Sequence, residues 1–246
     1  MTALLLLGWT LWRVRRPREV GQVSTPTLEP AAAALPQLSD RASLVPGRED
    51  FSFLLAILTG VALSVGVVAL QELVSVFALT VSFAELLMFW LTSFGAVALI
   101  YLSVKYGAVF IPGRIDAIEN VMMMVVTIAE CAMFIAVALG PGELLAMRWF
   151  ISLAAFAFSA GITTTIVWRR LCRSIEAKVA DEETVIYAKS LTSDIASACG
   201  LFAATVLFVC LWPKPPVFVG LCGGSVAFLI CVSEIMKQRK TRQNVL

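Results

Sequence analysis

The chain has 246 residues, of which 59% are hydrophobic and 15% are charged, and its formal net charge is +2. Soluble domains carry about 25% charged residues, so this composition excludes an ordinary soluble domain and indicates an integral membrane protein. The sequence contains no histidine, which removes the usual ligand of haem and zinc and the commonest general base. We therefore expect no enzyme activity, no cofactor and no metal site.

The first apolar stretch, residues 3–12 (ALLLLGWTLW), precedes the basic run RVRRPRE. A secretory signal carries its charges before the apolar segment, and about ten residues are too few to cross a bilayer. The pattern predicts that residues 1–12 form a short interfacial helix that anchors the N-terminus, with Trp9 and Trp12 at the depth of the lipid headgroups. A seventh, tilted or truncated span is the alternative.

Residues 13–50 have a different composition, which is basic and rich in proline. Pro26, Pro30, Pro36 and Pro46 prevent a continuous helix through this region. Such a polar segment cannot bury enough apolar surface to fold by itself. We predict a flexible cytoplasmic linker.

Residues 51–236 contain six apolar stretches long enough to cross a bilayer, for which about 20 residues are needed. The fold class that follows is all-α, a polytopic membrane helix bundle with six transmembrane helices plus the short N-terminal interfacial helix. The mixed-charge segment 170–193 is predicted to continue the fourth helix into water as an amphipathic extension. Residues 237–246 form a basic cytoplasmic tail. The predicted spans are 51–70, 83–104, 117–139, 143–168, 195–212 and 217–236.

The basic residues are distributed unevenly between the two sides that six spans define. Of the 19 Lys and Arg residues, 17 fall in the segments on one side, and the exceptions are Arg148 and Lys214. Loops rich in Lys and Arg stay in the cytoplasm. The sequence therefore predicts a multi-pass protein with both termini cytoplasmic, while the membrane that holds it is not indicated.

The third span carries a carboxylate, Glu130, near its middle, where an ionisable residue is costly and is functional by default. At about 100° per residue, Glu130 shares one helix face with Glu119, which lies about three turns away. We expect this face to point into the bundle and not at lipid. The full set on the face is Glu119, Met123, Val126, Glu130, Met133 and Val137.

The second span has a polar stripe of its own, in which Glu85, Thr92, Ala96 and Ser103 share one face. The simpler interpretation of Glu85 is an interfacial residue near a helix start, where a carboxylate suits the helix dipole. In the sixth span, Gly220 and Gly224 have the G-x-x-x-G spacing that lets two helices approach closely. Packing within the subunit is the favoured interpretation, and a dimer face is the alternative.

No phosphate-binding loop, dinucleotide-binding turn or hydrolase motif is present in the sequence. The favoured hypothesis is a transporter, channel or permease subunit in which Glu130 binds a proton or a cation, with Glu85 or Glu119 as a secondary site. The alternative is a non-transporting scaffold, assembly or partner-binding protein in which Glu130 stays protonated and hydrogen-bonded between helices. The expected partners are the lipid bilayer and either further copies of the chain or other membrane proteins, but not nucleic acid.

Overall fold

The computed structural model describes residues 48–75, 80–110, 117–177 and 182–243. The predicted N-terminal anchor and most of the predicted linker lie outside the described residues, as do the last three residues of the predicted tail. Only residues 48–50 of the linker are described, and they are helical.

Six helices make up the described part of the chain, and that part contains no strand. Each helix includes a stretch that is long and apolar enough to cross a membrane, so the protein is an all-α, multi-pass membrane protein. Helices suit this setting because every backbone polar group inside a bilayer must be satisfied within the chain. The helices are α1 (Arg48–Ser75), α2 (Val81–Phe110), α3 (Ala117–Ala138), α4 (Leu145–Glu176), α5 (Glu182–Leu211) and α6 (Val217–Gln243).

Most helices extend beyond the spans that hydropathy predicts. α6 continues to Gln243, so residues 237–243 of the predicted tail belong to the last helix. α2 likewise runs to Phe110, six residues past the predicted end at residue 104. The reason is that hydropathy marks only the part of a helix that lies in hydrocarbon, whereas a helix continues into water wherever the sequence permits it.

The mixed-charge segment 170–193 is divided between two helices, which corrects the expectation of a single extension of the fourth. α4 ends at Glu176 and α5 begins at Glu182, so the segment forms the ends of two neighbouring helices. Leu171, Ala188 and Leu191 are buried together between them. This contact explains the division, because two amphipathic helix ends that pack on one another bury the apolar faces that one extended helix would leave in water.

The central helix of the bundle is α3, which packs against α1, α2 and α4, while α6 packs on α2 and α5 packs on α4. Gly66 on α1 has no side chain, and the ring of Phe134 on α3 lies 3.0 Å from the position that a Cβ would take there. The indole nitrogen of Trp90 on α2 donates a hydrogen bond to the Gly66 carbonyl over 2.9 Å. Three helices therefore meet around one glycine.

The two ends of the bundle are named here by one residue each. The Gly140 end contains the last residues of α1, α3 and α5 and the first residues of α2, α4 and α6, and the Arg170 end contains the opposite ends of these helices. α3 stops at the Gly140 end because Gly140 has a φ of 75°, a left-handed conformation that favours glycine and closes a helix. The Gly140 amide donates to the carbonyl of Val137 over 3.0 Å.

Candidate functional site

The polar face of α3 lies inside the bundle along its whole length. All six residues that share the predicted face are buried. Glu119 is 5% exposed and Glu130 is 3% exposed. The two carboxylates are eleven residues apart in the sequence, about 16 Å along the helix axis. One helix therefore carries two buried acids at different depths, each in its own surroundings.

Glu119 forms an ion pair with Arg170 on α4. The Nη1 atom of Arg170 lies 3.0 Å from Oε1 and 2.9 Å from Oε2 of Glu119. Glu119 is also in the first turn of α3, where the positive end of the helix dipole stabilises a carboxylate. The ion pair joins α3 to α4 at the Arg170 end.

Glu130 has no such partner among the residues that the structure describes. Its Oε1 atom is buried and accepts no hydrogen bond from them, and no ion pair joins it to a described residue. Thr127, one turn away, donates its hydroxyl to the Met123 carbonyl of its own helix over 3.0 Å. An ionised carboxylate in this position costs roughly 2.5 to 3.5 kcal/mol on insertion scales.

Glu85 lies one turn inside the start of α2, toward the Gly140 end, and is 4% exposed. Its carboxyl group rests on Gly220 of α6, where the Oε1 atom occupies the space that a Cβ would take. Ala146 of α4 closes the same space, with its Cβ 3.3 Å from that position. The missing side chain of Gly220 is therefore what accommodates the carboxyl group between α2 and α6.

The second glycine of the G-x-x-x-G pair also faces α2. A Cβ on Gly224 would lie 2.9 Å from the ring of Phe89, and the hydroxyl of Thr92 donates to the Gly224 carbonyl over 3.2 Å. Gly220 and Gly224 are both buried within the subunit. They lie in the contact between α2 and α6, so neither presents its backbone on the outer surface of the described bundle.

Sequence reasoning missed a polar cluster that joins α5 to α6 at the Arg170 end. The Nζ atom of Lys237 lies 2.8 Å from Asp194 Oδ1 and 3.1 Å from Glu234 Oε2. The hydroxyl of Ser197 donates to the other oxygen of Glu234 over 2.7 Å. Lys237 was assigned to a tail and not to a helix. The spacing of Glu234 and Lys237, three residues apart, is a helical pairing signal that could have placed Lys237 in the helix.

Arg170 was missed in the same way, because its sequence context is that of an orientation-setting basic loop. The structure places the three candidate carboxylates at separate levels: Glu119 at the Arg170 end, Glu130 in the middle of α3, and Glu85 toward the Gly140 end. No hydrogen bond or ion pair between described residues joins any two of them. Comparison with protein-family models, with curated proteins and with solved structures finds no match.

Proposed function

We propose that the protein is a membrane transporter, channel or permease subunit in which Glu130 binds and releases a proton or a small cation. The observation that carries this proposal is the position of Glu130, which is buried in the middle of the central membrane-spanning helix with Oε1 unpartnered among the described residues. Ionisable residues at membrane depth mark ion and proton pathways.

The main rival is a non-transporting protein in which Glu130 joins two helices by a hydrogen bond. That interpretation requires a hydrogen bond between the Glu130 carboxyl group and a Ser or Thr hydroxyl or a backbone carbonyl. The nearest hydroxyl on α3 itself, that of Thr127, is directed to the Met123 carbonyl. The buried hydroxyl of Ser159 on α4 donates to the Phe156 carbonyl. Both hydroxyls are used locally within their own helices, which supports the transport proposal over its rival.

The surroundings of the two secondary sites favour Glu85 over Glu119. Glu119 forms an ion pair with Arg170, whereas no ion pair joins Glu85 to a described residue. Glu85 and Glu130 lie on helices that pack against one another. The pathway we propose therefore runs from Glu130 toward the Gly140 end.

The Gly140 end is proposed to face away from the cytoplasm, with both termini cytoplasmic, because the Lys and Arg residues are concentrated at the Arg170 end. In a variant without native cysteines, a single cysteine at Ser174 should react with an impermeant thiol reagent from the cytoplasmic side. One at Gly142 should react from the opposite side. Reaction of both from the same side would contradict the six-span arrangement.

The transport proposal is tested by measuring flux through the purified protein in liposomes, under gradients of pH and of small cations. Glu130→Gln keeps the shape and most of the hydrogen-bonding capacity of the side chain but cannot release a proton. We expect it to abolish flux while leaving expression and detergent-solubilised monodispersity unchanged. Glu182→Gln is the matched control, because Glu182 is an exposed acid at the start of α5, and it should transport like the wild type.

Wild-type flux in a well-folded Glu130→Gln variant would exclude a role for the carboxyl proton. The absence of flux in the wild-type protein under every gradient would favour the partner-binding rival. The two results are separate, because the first leaves transport in place and removes only the assigned residue.

A further inference from the structure

The neighbours of Glu130 on α3 are apolar apart from the hydroxyl of Thr127 and the thiol of Cys131. On its own helix, Val126, Ala129 and Met133 flank it and are buried. These three residues belong to one buried cluster with Ala62 of α1, Val97 of α2 and Leu153 of α4. Each of the three helices that pack against α3 therefore contributes apolar groups to the buried cluster that contains these three neighbours of Glu130.

The backbone carbonyls and the buried hydroxyls of these helices take part in hydrogen bonds. The buried side-chain oxygens of α1 to α4 without a partner among the described residues are Oε1 of Glu130 itself and Oδ1 of Asn120, which is ten residues away near the start of α3. α1, α2, α3 and α4 are all continuous helices at this depth, so their backbone carbonyls accept helix hydrogen bonds and are not turned toward a ligand. Cation sites in transporters instead use unwound backbone, whose carbonyls are free. The buried hydroxyls of Thr127 and Ser159 also donate within their own helices.

The charged and titratable residues of the three packing helices precede or follow the central residues of each helix by more than one helical turn in the sequence. The one on α3 itself next to Glu130 is Cys131. The others are Arg48, Glu49, Asp50 and Glu72 on α1; Glu85, Tyr101, Lys105 and Tyr106 on α2; and Arg148, Arg169, Arg170, Cys172, Arg173 and Glu176 on α4.

We propose that the ligand of Glu130 is the proton itself and not a metal cation. A metal cation that leaves water needs several oxygen ligands, about six to eight for calcium and an octahedral set for magnesium. A potassium site likewise replaces the hydration shell with a ring of carbonyls. Protonation needs only the carboxyl group and yields a neutral acid, which the apolar cluster accommodates. The inference rests on the proposed function, since it names what Glu130 exchanges.

The test is chemical labelling of the full-length protein in liposomes with dicyclohexylcarbodiimide, an apolar reagent that modifies protonated carboxyl groups inside membranes. The readout is the fraction of the Glu130 peptide that carries the adduct, measured by mass spectrometry across a pH series. Each pH is repeated with lithium, sodium, potassium or calcium chloride, and with choline chloride at matched ionic strength. Glu130→Gln should remove the adduct, and exposed Glu182 should remain unlabelled throughout.

We expect labelling of Glu130 to fall with rising pH, by about tenfold per pH unit above the midpoint of its titration, and to be the same in all salts. Protection by any of the metal cations at fixed pH would overturn the inference and assign a cation site. Labelling that does not change with pH would overturn it too, since it would indicate a permanently protonated, structural acid. Absent labelling at every pH would also count against it.

The labelling experiment tests the ligand of Glu130 and the flux experiment tests transport, so one proposal can be wrong while the other holds. Proton-specific labelling in a protein without flux would overturn the proposed function and leave the ligand assignment in place. Flux that depends on Glu130, together with protection by a metal cation, would overturn the ligand assignment and leave transport in place.

Discussion

Glu119 and Glu130 lie on the same face of the same helix and are almost equally buried, yet their surroundings differ. Glu119, at the Arg170 end of α3, is held by Arg170 through both carboxylate oxygens. Glu130, in the middle of α3, has its Oε1 atom buried and unpartnered among the described residues. Burial and helix face therefore do not by themselves determine what a carboxylate does. What differs is the neighbouring helix, which places a cationic side chain beside Glu119 and none beside Glu130.

The comparison predicts opposite responses to the loss of each group. Removing one member of a buried ion pair leaves an uncompensated charge in low dielectric, which is strongly destabilising. Removing an acid that has no partner leaves no other polar group without a hydrogen bond. It also removes the free-energy cost of burying the carboxyl group. Two substitution series test this difference and a third tests the surroundings of Glu85, all measured as the free energy of unfolding in the same detergent.

The largest effect is expected for Arg170→Leu, which leaves Glu119 buried without its cation. We predict a loss of about 3 kcal/mol of unfolding free energy, the low end of the range for a broken buried pair because Arg170 is partly exposed. Arg169→Leu is the matched control, since Arg169 is adjacent and exposed, and it should change stability little.

Adding Glu119→Gln to Arg170→Leu should recover part of the lost stability, because the double variant removes both charges of the pair. Equal losses for Arg169→Leu and Arg170→Leu would show that the Glu119–Arg170 pair does not join α3 to α4.

A smaller effect is expected at the third buried carboxylate, Glu85, whose carboxyl group fits against α6 only because Gly220 has no side chain. Gly220→Ala places a Cβ where Oε1 of Glu85 lies and 3.3 Å from the Cβ of Ala146. The displaced carboxyl group should lower the unfolding free energy by about 1 to 3 kcal/mol, the usual range for overpacking. Glu85→Ala in the same chain should relieve the loss.

Gly200→Ala is the control for this series, because nothing lies within 4 Å of a Cβ at Gly200. Alanine in an open helical position should leave stability unchanged or raise it by up to about 1 kcal/mol. If Gly220→Ala and Gly200→Ala behave alike, α2 and α6 are not in close contact at Glu85.

The smallest effect is expected for Glu130→Leu, which should leave the unfolding free energy unchanged or slightly raised. No described residue loses a hydrogen bond in this variant, and an apolar side chain of similar volume suits the cluster around it. A loss of about 1 to 3 kcal/mol would contradict the comparison, because that is the cost of a partner left unsatisfied. Glu119→Leu, measured alongside, should be clearly destabilised.

The helices and their buried faces could be predicted from local patterns. Runs of apolar residues mark all six spans, and the 3.6-residue period places Glu119, Met123, Glu130 and Met133 on one side of α3, where they are buried. Hydropathy located the helix ends less well, since α6 continues through basic residues to Gln243 and the segment 170–193 divides into two packed helix ends. These errors have one cause, because hydropathy reports on lipid contact and not on where backbone hydrogen bonding stops.

The sequence by itself determined that this is a multi-pass helical membrane protein with an acid on the buried face of its third helix, because hydrophobic length and helical period are local properties. It favoured an interfacial position for Glu85, which the structure shows buried. Only the tertiary structure decided which acid has a partner. Arg170 is 51 residues from Glu119 along the chain, and Gly220 is far from Glu85 in sequence but directly beneath its carboxyl group. Such pairings depend on how helices are arranged and aligned relative to one another, which the period of a single helix does not contain.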